Sequence, residues 1–315
     1  MEPSSTGNSG LSDLLLVNPA AGGGRSLSVL SDVRRFARDR GWNVEISVTE
    51  SPDDLAAKAR QAAAAGRQRI LVLGGDGTFQ LLVNALACFP DVILGVIPAG
   101  GGNDLAAALG LPSDPLRAAS LLLDGEVSYL DAVRVRTSDG NERLYTGGGG
   151  VGLDAEASRY ASGAYRNLHG RLRYLLAAIR AVLGFQAFPV RLQLSASDPL
   201  CVEATALLVG VLNTPSYGAG LCLAPAAKPD DGMLELVVLE DLNFLEILAL
   251  LPALAIRGKL NTRHIRRYTT QHVRIETPTP SWFHGDGELL GKTPVEISVM
   301  PKAVRVLRSA TKQKN

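Results

Sequence analysis

The chain has 315 residues, of which 46% are hydrophobic and 20% are charged, a composition typical of a globular protein that is long enough for two domains. Its formal net charge of +1 creates no overall field that would attract nucleic acid, so we expect no nucleic-acid partner. The three cysteines, Cys88, Cys201 and Cys222, are far apart and form no CxxC pair. This pattern predicts reduced core cysteines of a cytoplasmic protein.

The first residues and the longest apolar stretch indicate whether the chain is exported or crosses a membrane. Residues 1–12 are polar and rich in Ser and Gly, without the basic and apolar regions of a signal peptide, and we expect a disordered tail. The longest apolar stretch, Phe244–Ile256, contains Glu246 and Pro252 and is too short to span a bilayer. We therefore expect a cytoplasmic protein that can contact the inner face of a membrane transiently without crossing it.

Residues 13–128 alternate between predicted strands and predicted helices. The strands are Leu14–Val17, Val44–Val48, Ile70–Leu73 and Val92–Ile97, and the helices are Leu27–Gly41, Pro52–Gly66 and Thr78–Cys88. The buried face of the first helix is predicted to contain Leu27, Leu30, Val33 and Phe36. Ser51 should cap the second helix, since a proline and two acids follow it. This alternation predicts βαβ units and an α/β domain with a parallel sheet.

The pattern changes after Ser128, where β-rich segments dominate. They are Glu142–Thr146, Val190–Ser195, Cys201–Asn213, Met233–Glu240, Gln271–Glu276 and Val295–Met300. Helices are predicted at Leu168–Phe185 and Asn243–Leu260. We predict a second, mostly antiparallel and sandwich-like domain over residues 129–300, with the stretch at about 301–310 returning to the first domain.

Three glycine-rich turns in the first half each follow a predicted strand and precede a predicted helix. They are Asn18–Gly24, Gly74–Thr78 and Pro98–Asp104. In an open parallel sheet such turns meet at the carboxyl edge of the strands, where ligands bind. Turns also need glycine for structural reasons alone. Three of them together favour a phosphate-binding site, because glycines let backbone N–H groups approach phosphate oxygens at helix N-termini.

Two aspartates within these turns, Asp76 and Asp104, would place negative charge beside phosphate groups. A divalent cation removes this conflict, since proteins usually bind Mg²⁺ through one or two carboxylates together with phosphate oxygens. The structural alternative is that each aspartate caps the helix that follows it.

The glycine motif Gly74-Gly-Asp-Gly-Thr78 and its partners resemble the catalytic family of diacylglycerol kinases. The partners are the Asn18-Pro turn, Asn103-Asp104 and His284-Gly-Asp-Gly-Glu288, in the family's order and spacing over nearly the whole chain. The family includes bacterial diacylglycerol and YegS-like lipid kinases, with sphingosine and ceramide kinases as relatives. NAD kinases and phosphofructokinases share related glycine motifs, but the DGE element and Pro229-Asp-Asp-Gly232 favour the lipid kinases.

This resemblance implies a two-domain, NAD kinase-like fold and an ATP-dependent kinase that uses Mg²⁺ and phosphorylates a hydroxyl of a membrane lipid such as diacylglycerol. It assigns the nucleotide to Asn18, Pro19, Ala20, Ala21, Gly22, Thr49, Gly74, Gly75, Asp76, Gly77, Thr78, Phe79, Gln80, Gly101, Asn103 and Asp104. It draws the general base from Asp286 and Glu288, and the choice between them stays open, as does a plain hairpin turn.

The segment Lys228–Met233 resembles the structural Mg²⁺ loop of the bacterial members. The resemblance implies a carboxylate ligand from Asp231 and backbone carbonyl ligands from Lys228 and Met233, which suit a hard cation. Asp131 matches a polar family position and would link this loop to the cleft. An ordinary turn before the next strand is the alternative.

Two positions depart from the family pattern. Gly101 replaces the usual Thr or Ser, which removes a hydroxyl contact, and Gln80 replaces the usual Asn, which keeps the amide on a longer side chain. These departures leave open a catalytically silent nucleotide-binding regulator. A kinase of a soluble substrate related to NAD kinases also stays open, because that group shares the GGDG loop and a β-rich second domain.

Three further features of the sequence each have a simpler alternative explanation. Gly147–Gly152 fits the pattern GxGxxG, but it lies outside a βαβ unit, so we predict a tight turn at the cleft. The basic cluster within Arg257–Arg267 suits lipid head groups, although most such clusters are solvated faces. The apolar stretch Leu172–Phe188 is interpreted as packing within the second domain, with a lipid entrance as the alternative. A homodimer is left open.

Overall fold

The computed structural model describes residues 11–165, 171–184, 186–195, 200–216, 218, 220–240, 242, 246 and 264–309. The predicted helix Asn243–Leu260 and the stretch Phe244–Ile256 lie outside the described residues, apart from Glu246, as does the first part of the basic cluster. Among the described residues, no helix combines the length and apolar character needed to cross a bilayer.

The amino-terminal half is an α/β unit, as predicted. Its elements are β1 (Asp13–Val17), α1 (Arg25–Asp39), β2 (Val44–Val48), α2 (Pro52–Ala64), β3 (Arg69–Gly74), α3 (Asp76–Ala85), β4 (Ile93–Pro98), α4 (Asp104–Ala108) and α5 (Pro115–Leu123). The four strands are parallel in the order β4-β3-β1-β2. The apolar runs of β1 and β3 are buried, which is typical of strands covered on both faces. Ser51 caps α2 by accepting the N–H of Asp54, as predicted.

The carboxyl-terminal half is mostly β-structure. Its elements are β5 (Glu126–Thr137), β6 (Glu142–Tyr145), β7 (Gly148–Gly152), α6 (Leu153–Ser162), α7 (Arg171–Gly184), β8 (Phe188–Ser195), β9 (Leu200–Leu212), β10 (Leu234–Glu240), β11 (Ile265–Thr270), β12 (His272–Glu276), β13 (Trp282–Gly285), β14 (Glu288–Lys292) and β15 (Val295–Arg308). The pairs among these strands are antiparallel.

The long strand β15 connects the two halves into one sheet. Its first part pairs antiparallel with β12, and both of its ends pair antiparallel with β5. Near its end, Arg305 and Val306 pair in parallel with Ile93 and Leu94 of β4. Each half has a hydrophobic core of its own on either side of this strand. The two halves are therefore joined by one continuous sheet.

The predicted buried face of α1 was partly wrong. Leu27 is 48% exposed, and the buried positions are Ser26, Leu30, Val33 and Ala37. These positions are separated by three or four residues, so they lie on one face of a helix. Leu27 therefore belongs to the neighbouring, more exposed face.

The prediction of a tight turn at Gly147–Gly152 was wrong for most of the segment, because Gly148–Gly152 is the buried strand β7 between β9 and β13. A Cβ atom at Gly150 would lie 2.6 Å from the carbonyl oxygen of Val209. Because glycine has no side chain, this strand can lie very close to its neighbours β9 and β13. A run of glycines has no alternation of apolar and polar side chains, so the sequence did not predict a strand here.

The prediction of three core cysteines was also wrong. Cys88 and Cys201 are exposed and only Cys222 is buried, although all three are unpaired thiols as expected. Apolar neighbours in sequence did not place Cys88 inside, because α3 ends at Ala85, earlier than the predicted boundary at Cys88.

Candidate active site

The three glycine-rich turns lie against one another at the carboxyl edge of the parallel sheet. A Cβ atom at Gly75 would lie 2.9 Å from the Cα of Gly100, and one at Gly100 would lie 2.5 Å from the Cα of Gly75. Gly22, which has a φ of 61°, leaves no room for a Cβ beside the carbonyl oxygen of Ala99. Only glycine permits these backbone contacts, so the turns form one surface.

Hydrogen bonds fix the first turn to the second. Asn18 donates from Nδ2 to the hydroxyl of Thr78 over 2.9 Å and accepts the N–H of Ala20 at Oδ1 over 3.1 Å. Thr49 is buried and donates its hydroxyl to the carbonyl of Val17 over 3.0 Å. The predicted nucleotide residues Asn18, Thr49 and Thr78 therefore lie together at the ends of β1, β2 and β3.

The third turn is held by Asn103, which has a positive φ of 61°. Its side chain accepts the N–H of Gly100 over 2.8 Å and donates to the carbonyl of the same residue over 3.0 Å. At Gly101, by contrast, a Cβ would meet no other described atom within 4 Å. This position faces open space, which suits a ligand contact.

Asp76 connects the second turn to the third. Its carboxylate accepts the N–H groups of Asp104 over 3.2 Å and Leu105 over 3.1 Å, at the N-terminus of α4. Asp76 therefore caps a helix, but not the one that follows it in sequence. Burial and the charges of Asp104 and Asp286 raise the pKa of Asp76 to about 7. Asp104 itself accepts the hydroxyl of Ser216 over 3.0 Å.

Across the cleft, Asp286 lies in the turn between β13 and β14 with a φ of 50°. Its carboxylate accepts the N–H groups of Thr146 (2.9 Å), Gly147 (2.9 Å) and Gly148 (3.1 Å), and the Thr146 hydroxyl over 3.3 Å. Burial raises the pKa of Asp286, while these hydrogen bonds oppose the rise. The carboxylate is therefore held firmly in one position.

Glu288 is exposed and begins β14. Its Oε1 atom lies 3.6 Å from the position of a Cβ at Gly77, in the first turn of α3. The hairpin β13–β14 thus places a carboxylate directly opposite the N-terminus of the helix that follows the second glycine turn.

The segment Lys228–Met233 is attached to Asp131, as the resemblance implied. The N–H of Asp131 donates to the carbonyl of Pro229 over 2.7 Å, and its carboxylate accepts the N–H groups of Gly232 and Lys302, each over 2.6 Å. Asp131 is fully buried, so the loop is anchored in the core.

Asn213 continues this connection to the cleft. Its Nδ2 atom donates to the carbonyls of Asp131 over 3.1 Å and Thr146 over 2.9 Å. Because the N–H of Thr146 binds Asp286, an unbroken series of hydrogen bonds runs from the loop to the hairpin. Sequence reasoning missed Asn213. The feature that could have identified it is an amide side chain at the end of a long, mostly apolar predicted strand.

Phe79 and Gln80, two of the predicted nucleotide residues, make contacts within the protein, and their assignment to the nucleotide stays a prediction. Phe79 is buried in the core of the α/β half, so its side chain does not face the cleft. Gln80 donates from Nε2 to the carbonyls of Leu144 over 3.2 Å and Gly285 over 3.1 Å. The longer amide therefore ties α3 to the other half. Asn84, which sequence reasoning missed, exchanges two hydrogen bonds with the backbone of Leu144.

The donor groups of the cleft suit Mg²⁺ bound together with phosphates. The charges that act on Asp76 are those of two further carboxylates, Asp104 and Asp286, which a divalent cation would offset. Within the described residues, no three His, Cys, Asp or Glu side chains form a complete metal site. Mg²⁺ usually takes only one or two carboxylates from a protein and completes its shell with phosphate oxygens and water.

The predicted structural metal loop offers fewer side-chain groups. Asp231 is exposed, and its Oδ1 atom accepts the N–H of Met233 over 3.0 Å, while Lys228 is exposed. One carboxylate and backbone carbonyls are the ligand types that a hard cation accepts. The assignment of Lys228, Asp231 and Met233 as ligands stays a prediction.

Family models and similar proteins of known sequence point to the same family. Residues 13–135 match the diacylglycerol kinase catalytic domain, and residues 147–308 match the YegS C-terminal NAD kinase beta sandwich-like domain. A diacylglycerol kinase of Mycobacterium tuberculosis is 30% identical over 294 residues, covering 93% of this chain and 94% of that protein. A diacylglycerol kinase of Bacillus subtilis is 27% identical over 296 residues, covering 93% and 95%.

A solved structure has the same architecture. The crystal structure of a candidate diacylglycerol kinase from Bacillus anthracis superposes with a TM-score of 0.76 at 25% sequence identity. The superposition covers 95% of this chain and 97% of the other. The α/β half, the β-rich half and their connection are therefore shared.

Proposed function

Because the chain belongs to the diacylglycerol kinase family and is a lipid kinase, we propose that it transfers the γ-phosphate of ATP to a hydroxyl of a membrane lipid. The acceptor would be diacylglycerol or a lipid of similar form, reached from the cytoplasmic face of a membrane. The observation that carries the proposal is the position of Glu288, opposite the first turn of α3 at the joined glycine turns.

The glycine turns are the proposed nucleotide site. Backbone N–H groups of residues 74–78 and the N-terminus of α3 would bind the phosphate oxygens, since both provide partial positive charge. The turn that begins at Asn18, together with Thr49, would border the nucleotide. Gly101 and Asn103 would complete the site, and the open space beside Gly101 gives room for the ligand.

Glu288 is the proposed general base. The Asp286 carboxylate already accepts four hydrogen bonds, so taking a proton there would disrupt the contacts that hold the turn. The exposed carboxylate of Glu288 would accept the proton of the lipid hydroxyl as its oxygen attacks the γ-phosphorus and ADP leaves. Asp286 would position the hairpin that carries Glu288.

Mg²⁺ would be held by Asp76 and Asp104, and it would supply charge neutralisation at the phosphate groups. The second proposed cation, at Asp231 with Lys228 and Met233, would stabilise the loop that Asp131 anchors. Through Asn213 and Thr146 that loop would help to fix the position of Asp286.

The test is Mg²⁺-dependent transfer of labelled γ-phosphate into a panel of lipids, with NAD as a soluble acceptor. We expect a labelled lipid, and a fall in kcat of about 10³-fold in Glu288→Gln, since a general base contributes this much. The exposed residue Glu126 offers a matched control, and Glu126→Gln should keep the wild-type rate.

Two outcomes would support other functions. Labelled NAD without labelled lipid would favour a soluble-substrate kinase, for which the NAD kinase-like sandwich is the motivating observation. Binding of ATP without transfer to any acceptor would favour a silent nucleotide-binding regulator.

A further inference from the structure

Two polar side chains, His284 of β13 and Asp154 of α6, form a hydrogen bond between the hairpin β13–β14 and the helix that covers it. The Nε2 atom of His284 lies 2.9 Å from Oδ2 of Asp154. His284 is 2% exposed, and the side chain of Asp154 is 10% exposed. Such a buried pair adds little to the free energy of unfolding, because two apolar side chains of similar size would fill the space about as well. Its place two residues before Asp286 points to a role in the geometry of the site.

The glycine-rich strand β7 leaves room for this pair. A Cβ atom at Gly150, the residue opposite His284, would lie 2.6 Å from Oδ2 of Asp154. A Cβ atom at Gly149 would lie 2.4 Å from the carbonyl oxygen of His284. A side chain at Gly150 would therefore displace the carboxylate from the imidazole. The glycines that fit no nucleotide-binding pattern thus allow β13, β7 and the N-terminus of α6 to meet closely.

The same glycines leave the register of β7 weakly defined. Register is normally fixed by side chains that alternate between a core face and an outer face, and a glycine-rich strand has little of this alternation. Within Gly148–Gly152, only Val151 has a side chain larger than a hydrogen atom. β13 pairs with this strand through three residues, of which His284 is the middle one. The contact of His284 with Asp154 therefore adds a side-chain constraint from outside the sheet.

The pairing of β13 with β14 is irregular at His284. Phe283 lies opposite Gly291. The next residue of β13, His284, lies opposite Leu289, so β14 has one extra residue at this point. Such irregularities are frequent beside active sites, where they change the direction of a side chain. Glu288 precedes Leu289 in β14, and a shift of one residue in this hairpin would turn its carboxylate to the other face, away from α3.

We propose that Asp154 and His284 are positioning residues for phosphate transfer. Their hydrogen bond fixes β13 against α6, which also packs on β7 and β14, and thereby holds Glu288 opposite the first turn of α3. The inference rests on the proposed function, because the pair acts through the general base of that reaction. Since the glycine turns lie on the other side of the cleft, the pair should affect the rate of transfer and not the affinity for the nucleotide.

The double variant His284→Leu with Asp154→Ala removes both polar groups, so neither remains buried without its partner. Its midpoint in urea unfolding should stay close to the wild-type value, because the loss of both partners is nearly neutral for stability. The dissociation constant of Mg²⁺·ATP should remain within about twofold of wild type. The single-turnover rate of phosphate transfer to a lipid at saturating ATP should fall about tenfold to hundredfold, since a displacement of about 1 Å at a reacting group has an effect of this size.

A conservative variant separates the hydrogen bond from the volume of the imidazole. Glutamine also ends in an N–H donor, so His284→Gln should keep the transfer rate within about fivefold of wild type. His272→Leu is the matched control, because this histidine lies on β12, which pairs with β8 and β15. It should transfer phosphate at the wild-type rate.

Hydrogen–deuterium exchange over residues 282–292 observes the hairpin without any substrate. Its backbone amides should exchange about tenfold faster in the double variant, because the hairpin opens locally more often, and at nearly the wild-type rate in His284→Gln. This readout separates the two proposals. A wild type that labels no lipid would contradict the proposed function, while faster exchange in the double variant would still show that the pair holds the hairpin.

Three results would overturn the inference. The first is a double variant with wild-type transfer and wild-type exchange. The second is a His284→Gln variant as slow as the double variant, which would show that the hairpin needs the volume of the histidine and not its hydrogen bond. The third is a loss of ATP affinity as large as the loss of rate, which would show a general loss of structure instead of a positioning effect.

Discussion

The two sides of the cleft are built in different ways. On one side, three short segments at the ends of parallel strands offer mainly backbone groups, and glycines such as Gly75 and Gly100 allow them to touch. On the other side, the Asp286 carboxylate is held by N–H groups about 140 residues earlier in the chain. The first side is therefore sensitive to added atoms, and the second to the loss of single polar groups.

Asp76 should make the stability of the glycine side depend on pH. Its pKa in the folded protein, about 7, lies above the ordinary value of 3.8, so its contribution to stability decreases as the pH rises from 3.8 to about 7. Without nucleotide and Mg²⁺, this should lower the free energy of unfolding by about 3 kcal/mol between about pH 5 and pH 8.

Urea unfolding of wild type and Asp76→Asn at both pH values measures this effect. The variant should lack this part of the pH dependence, because its amide does not titrate. Parallel pH profiles for the two proteins would show that Asp76 is not buried among like charges as described.

Gly100→Ala should weaken ATP binding about tenfold to a hundredfold. Its new Cβ would lie 2.5 Å from the Cα of Gly75, and such overpacking costs about 1–3 kcal/mol. Calorimetric titration with Mg²⁺·ATP measures the change. Gly101→Ala is the matched control, because its Cβ meets no other described atom within 4 Å. Equal losses of ATP affinity in the two variants would show that the close contact between Gly100 and Gly75 is not the cause.

Gly101→Ser should have the smallest effect on ATP binding, and it should strengthen binding rather than weaken it. The side chain has open space, and its hydroxyl would restore the group that the family usually has at this position. One additional hydrogen bond should tighten ATP binding about fivefold relative to Gly101→Ala. Weaker binding would mean that this turn does not face the nucleotide.

Much of the glycine side could be predicted from sequence, because its chemistry follows local rules. Short apolar runs and one alternating segment predicted the strands, and the glycines between strands and helices predicted the turns. The capping of α4 by Asp76 could not be predicted, since the partner helix begins 28 residues later and depends on the contact between the turns. Phe79 was assigned to the nucleotide through the family resemblance of the Gly74–Gln80 loop, and the sequence did not show that its side chain lies in the core.

The hairpin side was predicted less completely. The Asp286 and Glu288 positions came from a recognisable short motif, but the residues that support them did not. Gly147 and Gly148 have no side chain from which a role could be inferred, and Asn213 acts through its position beside Asp131 and Thr146. Contacts of this kind are fixed by strand pairing, which a single sequence does not reveal.

The central claim is that one side of the cleft binds the nucleotide and the other carries out catalysis, and comparing Gly100→Ala with Glu288→Gln tests it most directly. Two quantities are measured for each variant: the dissociation constant of Mg²⁺·ATP, and the single-turnover rate of phosphate transfer to diacylglycerol at saturating ATP. We expect Gly100→Ala to lose ATP affinity, and Glu288→Gln to keep affinity within about twofold while transfer slows about 10³-fold. Transfer at the wild-type rate in Glu288→Gln, or a loss of ATP affinity that accounts for its slower transfer, would contradict the separation of binding and catalysis between the two sides of the cleft.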